Sequence, residues 1–416
     1  MRFQRITTNY PVYWRQFYAD KPGLEAQPFE VQHATLMHNA VAWADFWSHA
    51  LGKLGYETNE VISNVEPLQR AWARENDLTW DQSDWLAQIT TAQIKKFKPD
   101  VLFVNDYVTY TAAYLSRVRF ECPSIRIILG WCGAPYSDPS VFSQYDVVLS
   151  SVPELVQDFR AQGHVCFQID HAFDPRILER LDLNASPTTD FAFVGSITKK
   201  NNFHREREEQ LLELIRKTDL QIWAAVGHPS LSERSRIRLK QIAYDVVHAG
   251  HDIRVLAPLM KAAPFARKVT HWEARPALPQ AVDAAIERRA HAPLFGLPMF
   301  QQLRQSKVLL NTHIEISSSH ASNMRLYEAT GVGSCLLTDW KGNLSELFEP
   351  DREILAYRSV DEAIEKLRYI LDHESERRAI ANAGQTRTLR DHTFDRRAEQ
   401  LDELLHQELR LTTASV

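Results

Sequence analysis

Short apolar runs rich in β-branched residues recur along this chain, and stretches of helical periodicity separate them. In the first half the runs are DVLFVND at 100–106, RIILGW at 126–131 and DVVLSS at 146–151. Runs of this length, bounded by proline or polar residues, are typical of strands buried on both faces of a sheet. Because helices alternate with these strands, the pattern predicts a parallel sheet covered by helices.

The same alternation restarts in the second half, after a polar and turn-rich stretch at 180–189 that suits a connection between domains. Further strands are predicted at 190–196, 220–227, 307–313, 333–339 and 353–359. Helices are predicted between them at 204–217, 323–330 and 361–372. Because 416 residues exceed what one core ordinarily holds, the chain is predicted to form two domains of roughly 200 residues each.

The predicted fold class is therefore α/β, with two Rossmann-like domains and a cleft between them. The N-terminal domain is expected at 1–178 and the C-terminal domain at 179–392. An amphipathic helix at 393–416 is expected to pack back on the N-terminal domain.

Three local patterns give further predictions. The segment Met37–Leu54 follows helical spacing and is predicted as one helix. Ser359 and Glu362 match a capping box and predict the start of a helix. The basic, proline-broken segment 250–295 is interpreted as helical.

Charge and cysteine usage narrow the class of protein. The formal net charge is −5, so bulk electrostatics give no support for a nucleic-acid partner. The four cysteines are scattered without a C-x-x-C pair, which indicates neither a zinc site nor a disulfide framework and fits a reducing compartment. No window approaches the ~18 consecutive apolar residues of a membrane span. We therefore expect a cytoplasmic protein that touches a membrane at most peripherally.

Ligands of open parallel sheets bind beyond the carboxyl ends of the strands, so the residues that follow each strand are the first candidates for a site. Gly195 and Ser196 end the first strand of the second half, and Lys199 and Arg207 flank the start of the next helix. A glycine lets the backbone approach a phosphate, a helix start offers N–H groups, and basic side chains add charge. The alternative is an ordinary strand-to-helix turn with a solvated run of charges.

A polar loop and a short helix follow the strand at 307–313. Ser322 or Asn323 can cap this helix. Arg325 lies in the first turn, where it can hold a pyrophosphate, and Glu328 shares its face one turn deeper, where it can accept hydrogen bonds from a ribose diol. The alternative is a surface Arg–Glu pair of little energetic value. The small residues that instead favour a closely packed helix are Ala329, Gly331 and Gly333.

The stretch LLNTH…SNMRLYEATGVGSCLLTD, residues 309–339, resembles the donor-binding region of GT-B glycosyltransferases. It is closest to the glycosyltransferase group 1 set, which includes CgeB-type spore-maturation proteins. The resemblance continues through NLSELFEPDREILAYRSVDEAIEKL and HTFDRRAEQL, and in the first half through DFWSHALGKLGYET, KPDVLFVND and HAFDP. It covers most of the chain except 230–292. It implies a GT-B architecture and a hexosyltransferase that uses a nucleotide-sugar donor.

Related retaining enzymes carry an E-x7-E motif, and by this resemblance the ribose-binding second glutamate maps onto Glu328. The first glutamate, which contacts the donor sugar, falls at position 320, where this chain has His320. The family's glycine after the first strand of the C-terminal domain maps onto Gly195. The basic residues expected at the diphosphate are, in order, Arg325, Arg207, and Lys199 or Lys200. The predicted donor-binding set is completed by Ser196, His313, Asn323 and Met324.

The resemblance also implies that the reaction needs no bound divalent metal and no cofactor beyond the substrate, a nucleotide sugar such as a UDP- or GDP-sugar. An inverting enzyme needs a general base beside the acceptor hydroxyl. The candidates in the first domain are Asp106, His171, Asp45 and His38. Their alternatives are ordinary ones: an aspartate after a strand often caps a helix, an aspartate on a helix is usually solvated, and a lone histidine is often structural.

Three functions remain open at this point. The first is a glycosyltransferase acting on a glycan, a lipid-linked sugar or a protein acceptor. The second is a GT-B-like sugar-nucleotide epimerase or hydrolase, for which His313 and His320 would suit. The third is a non-catalytic nucleotide-sugar-binding protein in cell-surface or spore assembly, which would bind the nucleotide without turnover.

Overall fold

In the first half, the residues that the structure describes form a parallel sheet of six strands. They are β1 (Arg2–Thr7), β2 (Glu57–Ile62), β3 (Val101–Val104), β4 (Ile127–Trp131), β5 (Val147–Ser150) and β6 (Cys166–Gln168). Their order across the sheet is β2-β1-β3-β4-β5-β6. All residues of β3, β4 and β5 are buried, as their near-continuous apolar runs predict. Val104 lies opposite both Ile6 and Gly130, so the carboxyl ends of the central strands meet at one edge.

The computed structural model describes residues 1–134, 136, 138–197, 204–226, 231–252, 275–276 and 282–414. The chain divides into two compact units. The first comprises Met1–Val194 with Leu294–Val416, and the second comprises Gly195–Pro293. Much of the segment 250–295, interpreted above as helical, lies outside the described residues.

The described ranges of the second half also contribute six strands. They are β7 (Thr189–Val194), β8 (Gln221–Trp223), β9 (Ala290–His291), β10 (Ser306–Asn311), β11 (Cys335–Asp339) and β12 (Leu355–Tyr357). In the first unit the order is β12-β11-β10-β7, with every pair parallel. In the second unit β8 pairs in parallel with β9. The α/β class predicted from the sequence is confirmed.

Helices follow most of these strands. They are α1 (Pro11–Ala19), α2 (Phe29–His38), α3 (Phe46–Lys53), α4 (Glu66–Glu75), α5 (Trp85–Phe97), α6 (Ala112–Glu121), α7 (Pro153–Ala161), α8 (Arg205–Lys217), α9 (Leu231–Asp252), α10 (Ala284–Arg289), α11 (Gly296–Arg304), α12 (Met324–Gly331), α13 (Leu344–Leu347), α14 (Val360–Asp372), α15 (Glu374–Asp391) and α16 (Phe394–Ala414). Across the described ranges, none of them is both long enough and apolar enough to cross a membrane.

The prediction of a single helix over Met37–Leu54 is wrong. Helices α2 and α3 are separate, and a turn at 39–45 lies between them. The φ angles in this turn are 58° at Ala40, 54° at Ala42 and 39° at Ala44. The left-handed region is unfavourable for residues with a Cβ, so tertiary contacts must hold the turn. One such contact is the buried Arg5 guanidinium, which donates to the Ala44 carbonyl oxygen.

Several elements escape the sequence patterns, β2 and α15 among them, and one pattern is met in part. The sequence predicts neither β2 nor α15, because β2 begins with partly exposed polar residues and the buried face of α15 mixes polar with apolar side chains. Ser359 does cap α14, since its hydroxyl accepts from the Glu362 N–H at 3.2 Å. The Glu362 carboxylate, however, accepts from the N–H of Arg358 at 2.7 Å rather than from that of Ser359.

Helix α12 is seated against the rest of its unit through Gly331. A Cβ at this position would lie 2.3 Å from Cγ of the Phe173 ring. Phe173 is itself fixed, because its N–H donates to the His392 carbonyl at 2.9 Å and its own carbonyl accepts from the Phe394 N–H at 3.2 Å. The predicted close packing of this helix is therefore present, and the close neighbour is an aromatic ring.

We expect Gly331→Ala to lower the free energy of unfolding by about 1–3 kcal/mol, because the added methyl must displace a fixed ring. Gly52, on the exposed face of α3, is the matched control, since a Cβ there meets nothing within 4 Å. Gly52→Ala should be neutral or stabilise by up to about 1 kcal/mol. Urea denaturation of both variants measures the difference, and equal effects would contradict this account of the packing.

The terminal helix α16 packs along α3. The Lys53 ammonium pairs with Asp395 at 2.8 Å, and the Tyr56 hydroxyl donates to Asp402 at 2.6 Å. Both contacts join residues more than 300 positions apart in the chain, so this helix ties the end of the second half to the first.

His392, just before α16, is kept neutral by burial and by the arginines beside it. Arg397 can only donate, at 3.1 Å from Nδ1, so Nδ1 accepts and Nε2–H donates to the Leu347 carbonyl at 3.0 Å. Burial lowers the pKa of His392 to about 4, and the charges of Arg397 and Arg387 act in the same direction.

This arrangement predicts acid sensitivity. The pKa of His392 is about 4 in the folded state against 6.5 for a free histidine, so the unfolded state takes up the proton first as pH falls. The stability that the neutral ring contributes is complete above pH 6.5 and is lost progressively toward pH 4. Between pH 7 and 5 this group should lower the free energy of unfolding by about 2 kcal/mol. Urea titrations at several pH values should show a shallower decline for His392→Gln, and parallel profiles would contradict the assignment.

Candidate functional site

The loop between β10 and α12 begins with a network of amides at the carboxyl end of the sheet β12-β11-β10-β7, which is the second sheet of the first unit. Asn311, the last residue of β10, donates to the Thr338 hydroxyl at 2.9 Å. Asn323 donates to the Asn311 side-chain oxygen at 3.1 Å and to the Thr312 carbonyl at 2.9 Å. Asn323 does stand at the N-cap position of α12, but its side chain makes no capping hydrogen bond. It fixes the start of the helix to the strand instead.

The rest of this loop is held by residues that follow β11. The Lys341 ammonium donates to the Ser318 carbonyl at 2.9 Å, and the Gly342 N–H donates to the Ser319 carbonyl at 2.9 Å. The Asn343 side chain accepts from the Ala321 N–H at 2.6 Å. Because several hydrogen bonds define its backbone, the loop presents its side chains in fixed positions.

His313 lies at the base of the loop and pairs with Asp339, the last residue of β11. Both the ring Nδ1, at 2.7 Å, and the backbone N–H, at 3.0 Å, face one carboxylate oxygen. Burial alone would raise the pKa of Asp339, but His313 and Lys341 outweigh it and hold the pKa below its usual range. Nε2 of His313 is buried and has no hydrogen-bond partner within the described ranges. The ring is therefore oriented, with one nitrogen uncommitted.

Arg325 and Glu328 form an ion pair on α12. Nη1 of Arg325 lies 2.8 Å from Oε2 of Glu328, and the two side chains are only 16% and 9% exposed. The Arg325 guanidinium also contacts the Met299 sulfur at 3.4 Å, while its Nε is buried without a partner among the described residues. The alternative of an exposed surface pair is therefore wrong. Met324, before Arg325, is the first residue of α12 and is half-buried.

His320 faces a carboxylate from the first sheet. Its Nδ1 lies 3.0 Å from Oε1 of Glu154, which also accepts from the Ser319 N–H at 3.2 Å. Glu154 stands in the first turn of α7, just beyond the carboxyl end of β5. Burial tends to raise the pKa of Glu154, but the hydrogen bonds from His320 and Ser319 hold it below its usual range.

Asp106, the first candidate for a general base, closes a turn after β3. Its carboxylate accepts from the N–H groups of Val108 and Thr109, at 3.0 and 2.9 Å. It also accepts from the hydroxyls of Thr8 and Thr109, at 2.7 and 2.6 Å. A carboxylate with four donors is placed as the cap that the alternative interpretation describes.

Asp45 and His171, two of the other candidates, are also engaged in structure. The Asp45 carboxylate receives two hydrogen bonds from Arg176, at 3.0 and 3.2 Å. The His171 ring lies against Trp43 and Trp131, with centroid distances of 5.8 and 5.2 Å. Burial lowers the pKa of His171 to about 3, and the charge of Arg397 adds to the effect. His171 is therefore neutral at physiological pH.

The second unit holds the predicted phosphate loop. The Gly195 N–H donates to the Trp223 carbonyl at 3.1 Å, and Arg207 on α8 donates to the Ser196 carbonyl at 3.0 Å. Arg207 is only 8% exposed. Lys199 and Lys200 lie outside the described residues.

The structure thus gathers part of the predicted set at one edge of the second sheet. The residues that share this edge are His313, His320, Asn323, Met324, Arg325 and Glu328. Gly195, Ser196 and Arg207 belong to the other unit. Sequence reasoning missed Glu154, Asp339 and Lys341. Asp339 ends β11, and Lys341 and Glu154 lie within a few residues of the ends of β11 and β5. The rule that points to strand carboxyl ends, applied to every strand, would have found them.

Within the described ranges, no group of three or more histidine, cysteine, aspartate or glutamate side chains is arranged to hold a metal ion. The expected independence from a divalent metal stays a prediction, because metal ions in transferases are also held by substrate phosphates.

Solved structures share this architecture across nearly the whole chain. HepE from Anabaena, in complex with UDP and glucose, superposes with a TM-score of 0.54 at 10% identity, covering 98% of this chain and 100% of that one. A sucrose-phosphate synthase from Thermosynechococcus elongatus gives 0.51 at 10% identity, covering 99% and 100%. A glycosyltransferase from Rickettsia africae gives 0.51 at 10% identity, covering 98% of each chain. At this identity the likeness shows the fold, and it confirms the predicted GT-B architecture of two Rossmann-like domains.

No curated protein sequence matches the chain. One family profile does, under the description "Glycosyl transferase-like", and it matches residues 177–403, which is more than half of the 416 residues. That span contains the α12 helix, its preceding loop and the strands that position them. The chain belongs to the Glycosyl transferase-like family.

Proposed function

We propose that this protein transfers a sugar from a nucleotide-sugar donor to an acceptor, and that α12 binds the nucleotide. The observation that carries the proposal is the Arg325–Glu328 pair, which is largely buried at the carboxyl edge of a parallel sheet. A buried ion pair is weak support for stability, since an apolar pair of similar size often does as well. Binding of a ligand by the two side chains would account for the pair where stability does not.

The chemistry of the pair fits a nucleoside diphosphate. Oε2 of Glu328 pairs with Arg325, and Oε1 makes no hydrogen bond with a described residue, so that oxygen can accept from a ribose hydroxyl. Arg325 lies in the first turn of α12, where its guanidinium and the helix N-terminus can bind phosphate oxygens together. A charge placed there stabilises the leaving diphosphate as the sugar departs.

The donor class is proposed by likeness. HepE was solved with UDP and glucose, which supports a UDP-hexose as the first donor to test. Gly195, Ser196, Arg207 and Lys199 are proposed as further donor contacts. Within the family we place the chain with the CgeB-type set, and we propose a glycan, a lipid-linked sugar or a protein as the acceptor. The four cysteines are all free thiols, which supports a cytoplasmic location.

The test is a screen of UDP-glucose, UDP-galactose, UDP-N-acetylglucosamine and GDP-mannose, with release of the nucleoside diphosphate and calorimetric binding measured in parallel. We expect saturable binding of one nucleotide and slow release from its sugar even with water as acceptor. Binding without release would favour a non-catalytic binding protein on the same scaffold. Absence of binding by a well-folded sample would overturn the proposal.

A further inference from the structure

Glu154 and His320 come from opposite halves of the chain and meet at the carboxyl edge of the second sheet, where Arg325 and Glu328 also lie. They lie 166 positions apart in sequence, yet Oε1 of Glu154 is 3.0 Å from Nδ1 of His320. Glu154 follows β5 of the first sheet, and His320 stands in the loop that leads into α12. The Ser319 N–H donates to the same oxygen at 3.2 Å, so the carboxylate is aimed at this loop by two donors.

The partner fixes the state of the imidazole ring. Glu154 has its pKa held below the usual range, so as a carboxylate it can only accept, and Nδ1 of His320 must carry the hydrogen. The neutral ring then has its lone pair on Nε2, which makes no hydrogen bond with a described residue. The His320 side chain is 34% exposed, so a substrate can reach it. An oriented imidazole with an accessible lone pair is the arrangement of a general base.

The second oxygen of Glu154 strengthens this arrangement. Oε2 is buried and has no hydrogen-bond partner in the described part of the chain. A carboxylate that is partly withdrawn from water interacts more strongly with a cation beside it. Glu154 is therefore placed to stabilise the imidazolium that forms when His320 takes up a proton.

The other candidates are less suited to the task. The carboxylate of Asp106 already accepts four hydrogen bonds, and that of Asp45 is paired with Arg176. The pKa of His171, about 3, makes that ring a poor acceptor of protons at neutral pH.

The positions of Glu328 and Arg325 along α12 place His320, in the loop before the helix, near the sugar of a bound donor. If Glu328 binds the ribose and Arg325 the diphosphate, the donor runs toward the start of the helix. The sugar, at the far end of a linear donor, then reaches the loop before the helix, where His320 stands. The backbone of that loop is fixed by Lys341, Gly342 and Asn343.

We propose that His320 is the general base of the transfer and that Glu154 is its positioning residue, an inference that rests on the proposed function. Nε2 of His320 takes the proton of the acceptor hydroxyl as that oxygen forms a bond to the anomeric carbon. The bond from the anomeric carbon to the diphosphate oxygen breaks, and its electron pair leaves with the nucleoside diphosphate. The imidazolium pairs with Glu154 and later returns its proton to solvent. A single displacement of this kind inverts the anomeric configuration.

The test uses the full-length protein with the four nucleotide sugars of the screen and water as acceptor. All four donors are α-linked, so proton NMR taken before mutarotation should show the β sugar first. His320→Ala should slow nucleotide release by about 10²–10⁴-fold with unchanged nucleotide affinity, and added imidazole should restore part of the rate. Glu154→Gln should lower kcat without changing KM for the donor, and Glu154→Asp should retain more of the rate. His406→Ala, in a histidine–aspartate pair with Asp402 whose side chains are 52% and 30% exposed, is the matched control and should behave like the wild type.

Each outcome supports or overturns the proposed dyad of His320 and Glu154. An α sugar formed first, or a full rate of nucleotide release in His320→Ala, overturns it. Nucleotide binding without release from any donor also overturns it and leaves the donor site standing, whereas absence of binding overturns the proposed function as well. If His320→Ala does not fold, ¹⁵N NMR of the wild type still decides: hydrogen on Nδ1 of His320, shifting in Glu154→Gln, supports the dyad, and hydrogen on Nε2 alone overturns it.

Discussion

Arg5→Leu should lower the free energy of unfolding by about 3–5 kcal/mol, because it leaves the Glu60 carboxylate buried without its partner. Arg5 on β1 and Glu60 on β2 lie 2.6 Å apart, with side chains that are 3% and 2% exposed. Glu60 would keep its hydrogen bond from Ser48, at 2.8 Å. The substitution also removes the donor that holds the Ala44 carbonyl, and with it an anchor of the turn at 39–45.

The same two strands provide the control. Arg2 and Glu57 pair at 2.9 Å across β1 and β2, but their side chains are 36% and 63% exposed. Exposed pairs contribute little, so Arg2→Leu should cost less than about 1 kcal/mol. Equal losses in urea denaturation for Arg2→Leu and Arg5→Leu would contradict the argument from burial.

A pH series separates charge from packing in this prediction. Burial, opposed by Arg5, raises the pKa of Glu60 to about 7 from 4.5. The folded state therefore holds the proton more tightly than the unfolded state, so this group's contribution to stability is greatest below pH 4.5 and is lost as pH rises through 7. The loss in free energy of unfolding caused by Arg5→Leu should consequently be smaller at pH 5 than at pH 8, because a neutral Glu60 needs no cation beside it.

Glu328→Ala should weaken nucleotide binding by about 10–100-fold, which corresponds to about 1–3 kcal/mol for hydrogen bonds to a charged group. The alanine cannot accept from the ribose, and it leaves Arg325 without the carboxylate that positions it for the diphosphate. Glu328→Gln, which keeps the shape and one acceptor oxygen, should lose less. Isothermal titration with the nucleotide selected by the screen measures all three proteins.

Another ion pair of the same spacing serves as the control. Glu349 and Arg352 are also three residues apart and pair at 3.1 Å, but they are 56% and 75% exposed. Glu349→Ala should leave nucleotide affinity unchanged. An unchanged affinity in Glu328→Ala as well would remove Glu328 from the site.

The central strands could be predicted from the sequence because burial on both faces requires a nearly continuous run of apolar residues. β3, β4 and β10 carry runs of apolar residues that no exposed element would tolerate. The edge strand β2 carries no such run, since its first half is partly exposed. The turn at 39–45 could not be predicted for a different reason. Its buried Trp43 and the buried Trp47 of α3 still follow helical spacing, while the break depends on Arg5, which is distant in sequence.

In the candidate site, too, residues related by local spacing could be predicted, and those brought together by the tertiary structure could not. Arg325 and Glu328 could be found because helical spacing puts them on one face, and the resemblance gave each a role. The partner of His320 could not be found by local spacing, because Glu154 arrives from another sheet. Nor could the engagement of Asp106 be foreseen, since one of its donors, Thr8, is the residue that follows the neighbouring strand β1.

The central claim is that α12 binds the nucleotide of a sugar donor, and a crystal structure of the protein with UDP bound tests it most directly. The account predicts ribose hydroxyls within about 2.7–3.2 Å of the Glu328 carboxylate and the diphosphate beside Arg325 at the first turn of α12. UDP bound elsewhere, with Glu328 and Arg325 still paired only to each other, would contradict it.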